Sequence, residues 1–182
     1  PRGKLYKVMI NYMVEHFPLF VIAENVPHLA RMSKGLVLKT ILNDFESVGY
    51  RFVVWNLFAP DYGIPQNRRR LFLIGIRNDI TGNIKKPNAS FKNKHRSIDW
   101  AIADLENIID ESIPNQSQYF KASRAKRGNG QGDEISIKGK PGYTVRANAK
   151  SRVQFHYLHD RRLTVRELAR LQTFPDSFVL PH

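Results

Sequence analysis

The run Leu71-Phe72-Leu73-Ile74-Gly75-Ile76 carries no polar side chain and is entered directly from Gln66-Asn67-Arg68-Arg69-Arg70. An apolar run this short, bounded by charge, reads as a strand buried in a sheet. Strand alternation would put Arg68 and Arg70 on one face and Arg69 on the other. Guanidinium groups beside apolar sheet residues are costly unless they are paired. An anionic or hydrogen-bond-accepting partner is therefore expected on the Arg68/Arg70 face.

The rest of the N-terminal stretch fits the same sheet. Leu5, Val8, Met9, Tyr12 and Met13 recur at helical spacing, and Pro18 ends that helix. Leu19-Phe20-Val21-Ile22-Ala23 has no alternation, as expected of a strand covered on both faces of a parallel sheet. It runs out at Glu24-Asn25-Val26-Pro27. Ser33 is a candidate cap for a second helix marked by Val37, Ile41, Phe45 and Val48 and closed by Gly49. Phe52–Phe58 follows as a strand, and Pro60–Pro65 as a loop. Residues 1–79 thus read as an α/β half-domain.

Composition changes after Asp79. Residues 80–160 contain Thr81-Gly82-Asn83, Lys85-Lys86-Pro87-Asn88, a short acidic helix predicted around Ile98–Ile109, and Gly128-Asn129-Gly130-Gln131-Gly132. They read as a separate, loop-rich module. In the last segment, 161–182, Thr164-Val165-Arg166-Glu167 is a capping-box pattern that opens a helix through Leu171, with Pro175 as its stop.

Charge indicates the partner. The chain carries +13, and the stretch from Lys121 to Arg152 holds nine basic residues against two acids, so more than half of the excess lies there. That balance favours a polyanion such as nucleic acid over an acidic small molecule, although a merely basic protein would show the same charge. A glycine-rich tip among basic residues could enter a groove, with Arg124, Lys126 and Arg127 shared between phosphates and base edges, and Gln131 and Arg146 as further candidates. The same glycines do not make a cofactor loop, because no strand precedes them and no helix follows.

Cysteine is absent, which excludes disulfides, thiolate metal sites and a thiol nucleophile within these residues. The six histidines form no pattern with metal-ligand spacing. Tyr62, Trp55 and Trp100 are expected as core or turn aromatics rather than stacking platforms. The apolar runs are too short to span a bilayer, and an intracellular address is the expectation. Pro1, in place of Met, leads straight into helix, as in a piece of a longer protein.

Glu24, after a strand and shortly before Pro27, is expected at the carboxyl edge of the sheet, where α/β folds place their ligands. With Arg68 and Arg70 it could read a polar ring by its donors and acceptors. A structural ion pair between Glu24 and one arginine fits these residues equally well.

These segments together resemble the DNA (cytosine-5) methyltransferase family. Glu24-Asn25-Val26-Pro27 is similar to its sixth conserved motif and Tyr62-Gly63-Ile64-Pro65-Gln66-Asn67-Arg68-Arg69-Arg70 to its eighth. Arg161-Arg162-Leu163-Thr164-Val165-Arg166-Glu167, continuing through Gln172–Phe178, is similar to its ninth, and Arg2-Gly3-Lys4-Leu5 to the tail of its fifth. The resemblance implies part of an AdoMet-dependent Rossmann-like domain (1–79), a small target-recognition domain (80–160), and a ninth-motif helix packing between them (161–182).

It also implies chemistry. In this family a cysteine attacks C6 of a flipped cytosine and a methyl group passes from S-adenosyl-L-methionine to C5. By the match, Glu24 would hydrogen-bond N3 and the exocyclic amine of the base, and Asn25 would fix the catalytic loop. Arg70, with Arg68 beside it, would reach the base carbonyl, and Gln66 would support the same site.

The Pro-Cys motif, the Phe-x-Gly-x-Gly cofactor loop and the tenth motif are absent from these residues. The expectation is the C-terminal portion of a bacterial restriction-modification methyltransferase, cytoplasmic and nucleoid-associated. It would be inactive alone and completed by an N-terminal half in the same chain or another. The alternatives are a non-catalytic, sequence-specific DNA-binding module and, more remotely, a basic protein that packs on RNA.

Overall fold

The structure, a computed structural model, describes residues 5–110, 112–116, 134–146 and 154–180. The chain divides into two units, Pro1–Leu57 with Arg69–Asn88, and Phe58–Arg68 with Ala89–His182.

In the first unit, α1 (Tyr6–His16) ends at Phe17, whose left-handed backbone (φ 46°) turns the chain ahead of Pro18. Strands β1 (Phe20–Asn25), β2 (Tyr50–Phe58) and β3 (Arg69–Arg77) form one sheet in the order β1-β3-β2, and α2 (Leu36–Glu46) joins β1 to β2. The core gathers Met13 from α1, Val21 from β1, Ile41 and Phe45 from α2, and Leu71 and Leu73 from β3. Phe45 stacks on Phe52 at 4.8 Å between centroids. Beyond β3, the Arg51 guanidinium donates to the carbonyls of Arg77, Ile80 and Gly82, pinning the turn that leaves the sheet.

Two expectations need correcting here. β1 runs antiparallel to β3, with Glu24 opposite Phe72, and it is not covered on both faces. Val21 is buried, whereas Phe20 and Ile22 are 58% and 65% exposed. An unbroken apolar run cannot distinguish a doubly covered strand from one whose second face is apolar but open. Ser33 also caps no helix. Pro27–Gly35 is a 3-10 segment broken by the left-handed Ser33 and Lys34, and α2 starts after Gly35 at φ 90° with no side-chain cap.

In the second unit, α3 (Ile98–Ile102) is capped by the Ser97 side chain and passes into a 3-10 turn at Ala103–Leu105, shorter than the predicted Ile98–Ile109. The two-residue strands β4 (Glu134–Ile135) and β5 (Gln154–Phe155) pair in parallel. α4 (Val165–Leu171) carries the capping box as read: Glu167 N donates to Thr164 Oγ1 at 3.1 Å, and Thr164 N donates to Glu167 Oε2 at 2.8 Å. Leu163 and Leu171 close on Ile98, Ala101 and Ile102 to make this unit's core. Among the described residues no helix is long and apolar enough to cross a membrane.

Candidate active site

β1 points its carboxyl end at the start of β3 because the two strands are antiparallel. In a parallel pair, the end of one strand would lie far from the start of the other. With Glu24 opposite Phe72, Arg70 is the diagonal neighbour on the same face. Arg70 Nε lies 2.5 Å from Glu24 Oε1, and Arg70 Nη1 donates to the Arg69 carbonyl at 2.8 Å. That second bond helps hold the guanidinium plane. The Glu24 side chain is 46% exposed and that of Arg70 21%, so the pair sits at a surface a ligand can reach.

The open alternative of a structural ion pair thus has a geometric counterpart, but exposed pairs of this kind add at most about 1 kcal/mol to stability. What the pair offers chemically is a carboxylate that accepts hydrogen bonds, or donates one when protonated, beside a fixed fork of donors. Asn25 completes the strand end, its Oδ1 accepting from Val26 N at 2.9 Å just before Pro27 opens the 3-10 segment.

The other predicted site residues are placed differently. Gln66 belongs to the second unit and is 1% exposed. Its Nε2 donates to Leu171 O at 3.1 Å and its Oε1 accepts from Val145 N at 3.1 Å. With Asn67 N bonded to Gly142 O, the side chain braces the loop before the arginines against α4 and the 142–145 segment. Arg68 lies in the same unit, its backbone bonded to Gln66 O and Ala59 N. Arg146 is exposed, and Arg124, Lys126, Arg127 and Gln131 lie outside the described residues.

Two further clusters lie in the second unit. His156 and Glu167 are fully buried, and Arg161 grips Glu167 with two bonds of 2.8 Å. His156 Nδ1 accepts from Leu158 N and His159 N, and burial pushes the ring down to about 4, against the pull of Glu167. Arg161-Arg162 and Thr164-x-x-Glu167 were visible in the sequence, but nothing local marked His156 as their neighbour.

The second cluster corrects the reading of Trp100. It is 58% exposed rather than a core or turn residue, and the Arg96 guanidinium lies 4.0 Å from its ring centre and 4.8 Å from that of Phe91. The signal available in the sequence was the run from Ala89 to Ile98, in which Lys92, Lys94 and Arg96 alternate with other residues and no acid intervenes. No group of three or more His, Cys, Asp or Glu among the described residues could hold a metal ion.

The profile of the C-5 cytosine-specific DNA methylase family matches residues 1–182. The chain belongs to that family. It is 34% identical over 194 residues to the Type II methyltransferase M.BsuRI of Bacillus subtilis, a match covering 97% of this chain and 44% of the relative. Against M.MthTI of Methanothermobacter thermautotrophicus it is 31% identical, covering 98% of this chain and 62% of the relative. The chain spans roughly half the length of such curated relatives.

Among solved structures, an Escherichia coli prophage protein described as a DNA modification methyltransferase superposes with a TM-score of 0.61 at 22% identity over 96% of this chain and 64% of its own. The S. pombe Dnmt2 methyltransferase gives 0.54 at 15% identity, over 93% of this chain and 59% of its own. At those identities the likeness is one of fold: a portion of the methyltransferase fold.

β1 leads into the Pro27–Gly35 segment, and no strand among the described residues passes through a glycine-rich turn into a helix.

Proposed function

We propose that this chain is the C-terminal portion of a site-specific DNA (cytosine-5) methyltransferase, in which Glu24 and Arg70 hold the flipped cytosine while nucleophile and cofactor come from outside these residues. The observation that carries the reading is the 2.5 Å Glu24–Arg70 pair, built by two motif segments 46 positions apart at one reachable strand end. Glu24, protonated, would donate to N3 of the ring, and by raising the positive character of the base it would make C6 more open to attack. The Arg70 fork would take the base carbonyl and keep the carboxyl group aimed. Asn25 would hold the strand end, and Gln66 would act as a positioning residue, since its amide is spent on Leu171 and Val145.

The AdoMet site belongs to the missing portion, as does the nucleophile. Three observations support the division. The chain has no cysteine. It covers 44% and 62% of two curated relatives. The first unit leaves Val8 and Tyr12 on α1 exposed and, separately, Phe20 and Ile22 on the edge strand β1, apolar surfaces suited to the rest of a sheet and its helices. Residues 80–160 would supply target recognition, with double-stranded DNA as the partner.

Incubating the isolated chain with labelled AdoMet and unmethylated duplex DNA should give no incorporation, and adding the N-terminal portion of the enzyme should restore it. Incorporation by the chain alone would overturn the reading.

A further inference from the structure

The Arg96 stack lies over a cleft of about 260 Å3 lined by Arg96, Trp100, Ala101, Arg170, Thr173 and Phe174, all in the second unit. Its two arginines are in different states. Arg170 is consumed: it donates to Asp176 at 2.6 and 2.8 Å, to Asp104 at 2.5 Å and to the Ala101 carbonyl at 3.1 Å. Arg166 also pairs with Asp176. Two arginines and two aspartates cancel, so Arg170 forms a neutral wall.

Arg96 has no carboxylate partner among the described residues. It is clamped by the Phe91 and Trp100 rings and makes one long bond, 3.4 Å, to the Gly63 carbonyl. Stacking on rings fixes the guanidinium plane but leaves its in-plane donors unspent. Lys92 and Lys94 flank it on an exposed loop with no acid between Ala89 and Ile98.

That loop is built, not draped. Phe91 N donates to Asp61 O at 3.0 Å, His95 Nε2 meets Asp61 Oδ1 at 2.8 Å, and the Phe91 ring fills the space a side chain at Gly63 would need. Gly63 sits at φ 83°, so a side chain there would meet both backbone strain and the ring.

We infer that Arg96, framed by Phe91 and Trp100 and flanked by Lys94, is a clamp for a backbone phosphate of DNA, with the exposed Trp100 ring lying against the adjoining sugar or base. A planar fork with free donors fits a phosphodiester in two-point fashion, and an aromatic platform beside it is indifferent to base identity. The clamp would add affinity and register without reading sequence. It rests on the reading of this chain as the DNA-binding portion of a methyltransferase.

The test is a salt titration of duplex binding by the 182-residue chain, wild type against Arg96→Gln. The variant should lower the slope of log K against log salt by roughly 1 and weaken binding several-fold on target and mixed-sequence duplexes alike. A folded Arg96→Gln chain with an unchanged slope, beside a wild type that binds, overturns the clamp and leaves the methyltransferase reading standing. A wild type that binds no duplex overturns both. Should Arg96→Gln not fold, a Trp55→Phe background makes Trp100 the sole indole emitter. Its emission should fall on adding mixed-sequence duplex, and an unaltered signal at saturation overturns the clamp.

Discussion

At the scale of single residues, the site is a choice between what a pair does for stability and what it does for chemistry. Arg70 and Glu24 are close enough for a strong hydrogen bond, yet both are partly in water, where such pairs contribute little to folding. Arg70→Gln should therefore shift the unfolding free energy by no more than about 1 kcal/mol in urea titrations. In the complete enzyme the same change should cut methylation by roughly 100-fold, the usual cost of losing one positioned donor at a reacting group. A large stability loss with proportionate activity would make the pair structural. Gln66 is the opposite case. Its motif membership was legible in the sequence, but its burial against Leu171 and Val145 was not, because both partners lie more than 75 positions away.

At the scale of elements, helices and strands were legible where local chemistry decides them. The capping box at Thr164, the stop ahead of Pro18 and the strand Arg69–Arg77 follow from short-range rules. Strand direction was not legible, since the apolar run of β1 is compatible with either sense and only its pairing with β3 fixes it. That direction matters most, because it brings the end of one motif to the start of another. The sheet also has one tight point. A Cβ at Gly75, opposite Val21, would lie 2.4 Å from the Phe52 ring. Gly75→Ala should cost on the order of 1–3 kcal/mol through forced displacement of that ring, measured as a lower denaturation midpoint. A neutral effect would mean that Phe52 swings aside without loss.

At the scale of the whole molecule, charge and burial make the fold respond to pH. His156 ordinarily titrates near 6.5, but burial holds it neutral down to about 4 in the folded chain. The unfolded chain thus binds a proton that the folded one refuses. Stability should be fully present above about pH 6.5 and decline as pH falls from there toward 4, by up to roughly 3 kcal/mol at the lower end. His156→Gln should flatten that part of a melting-temperature profile, and a wild-type profile without slope between pH 6.5 and 4 would contradict the burial account. The +13 excess and the basic segment point the same molecule toward a polyanion.

The whole reading depends on Glu24 touching the reacting base. The direct measurement compares Glu24→Gln with wild type in the complete enzyme, scoring methyl transfer and duplex binding side by side. The account predicts transfer down by at least roughly 100-fold with DNA affinity within about twofold. Equal losses of transfer and binding, or transfer left intact, would contradict it.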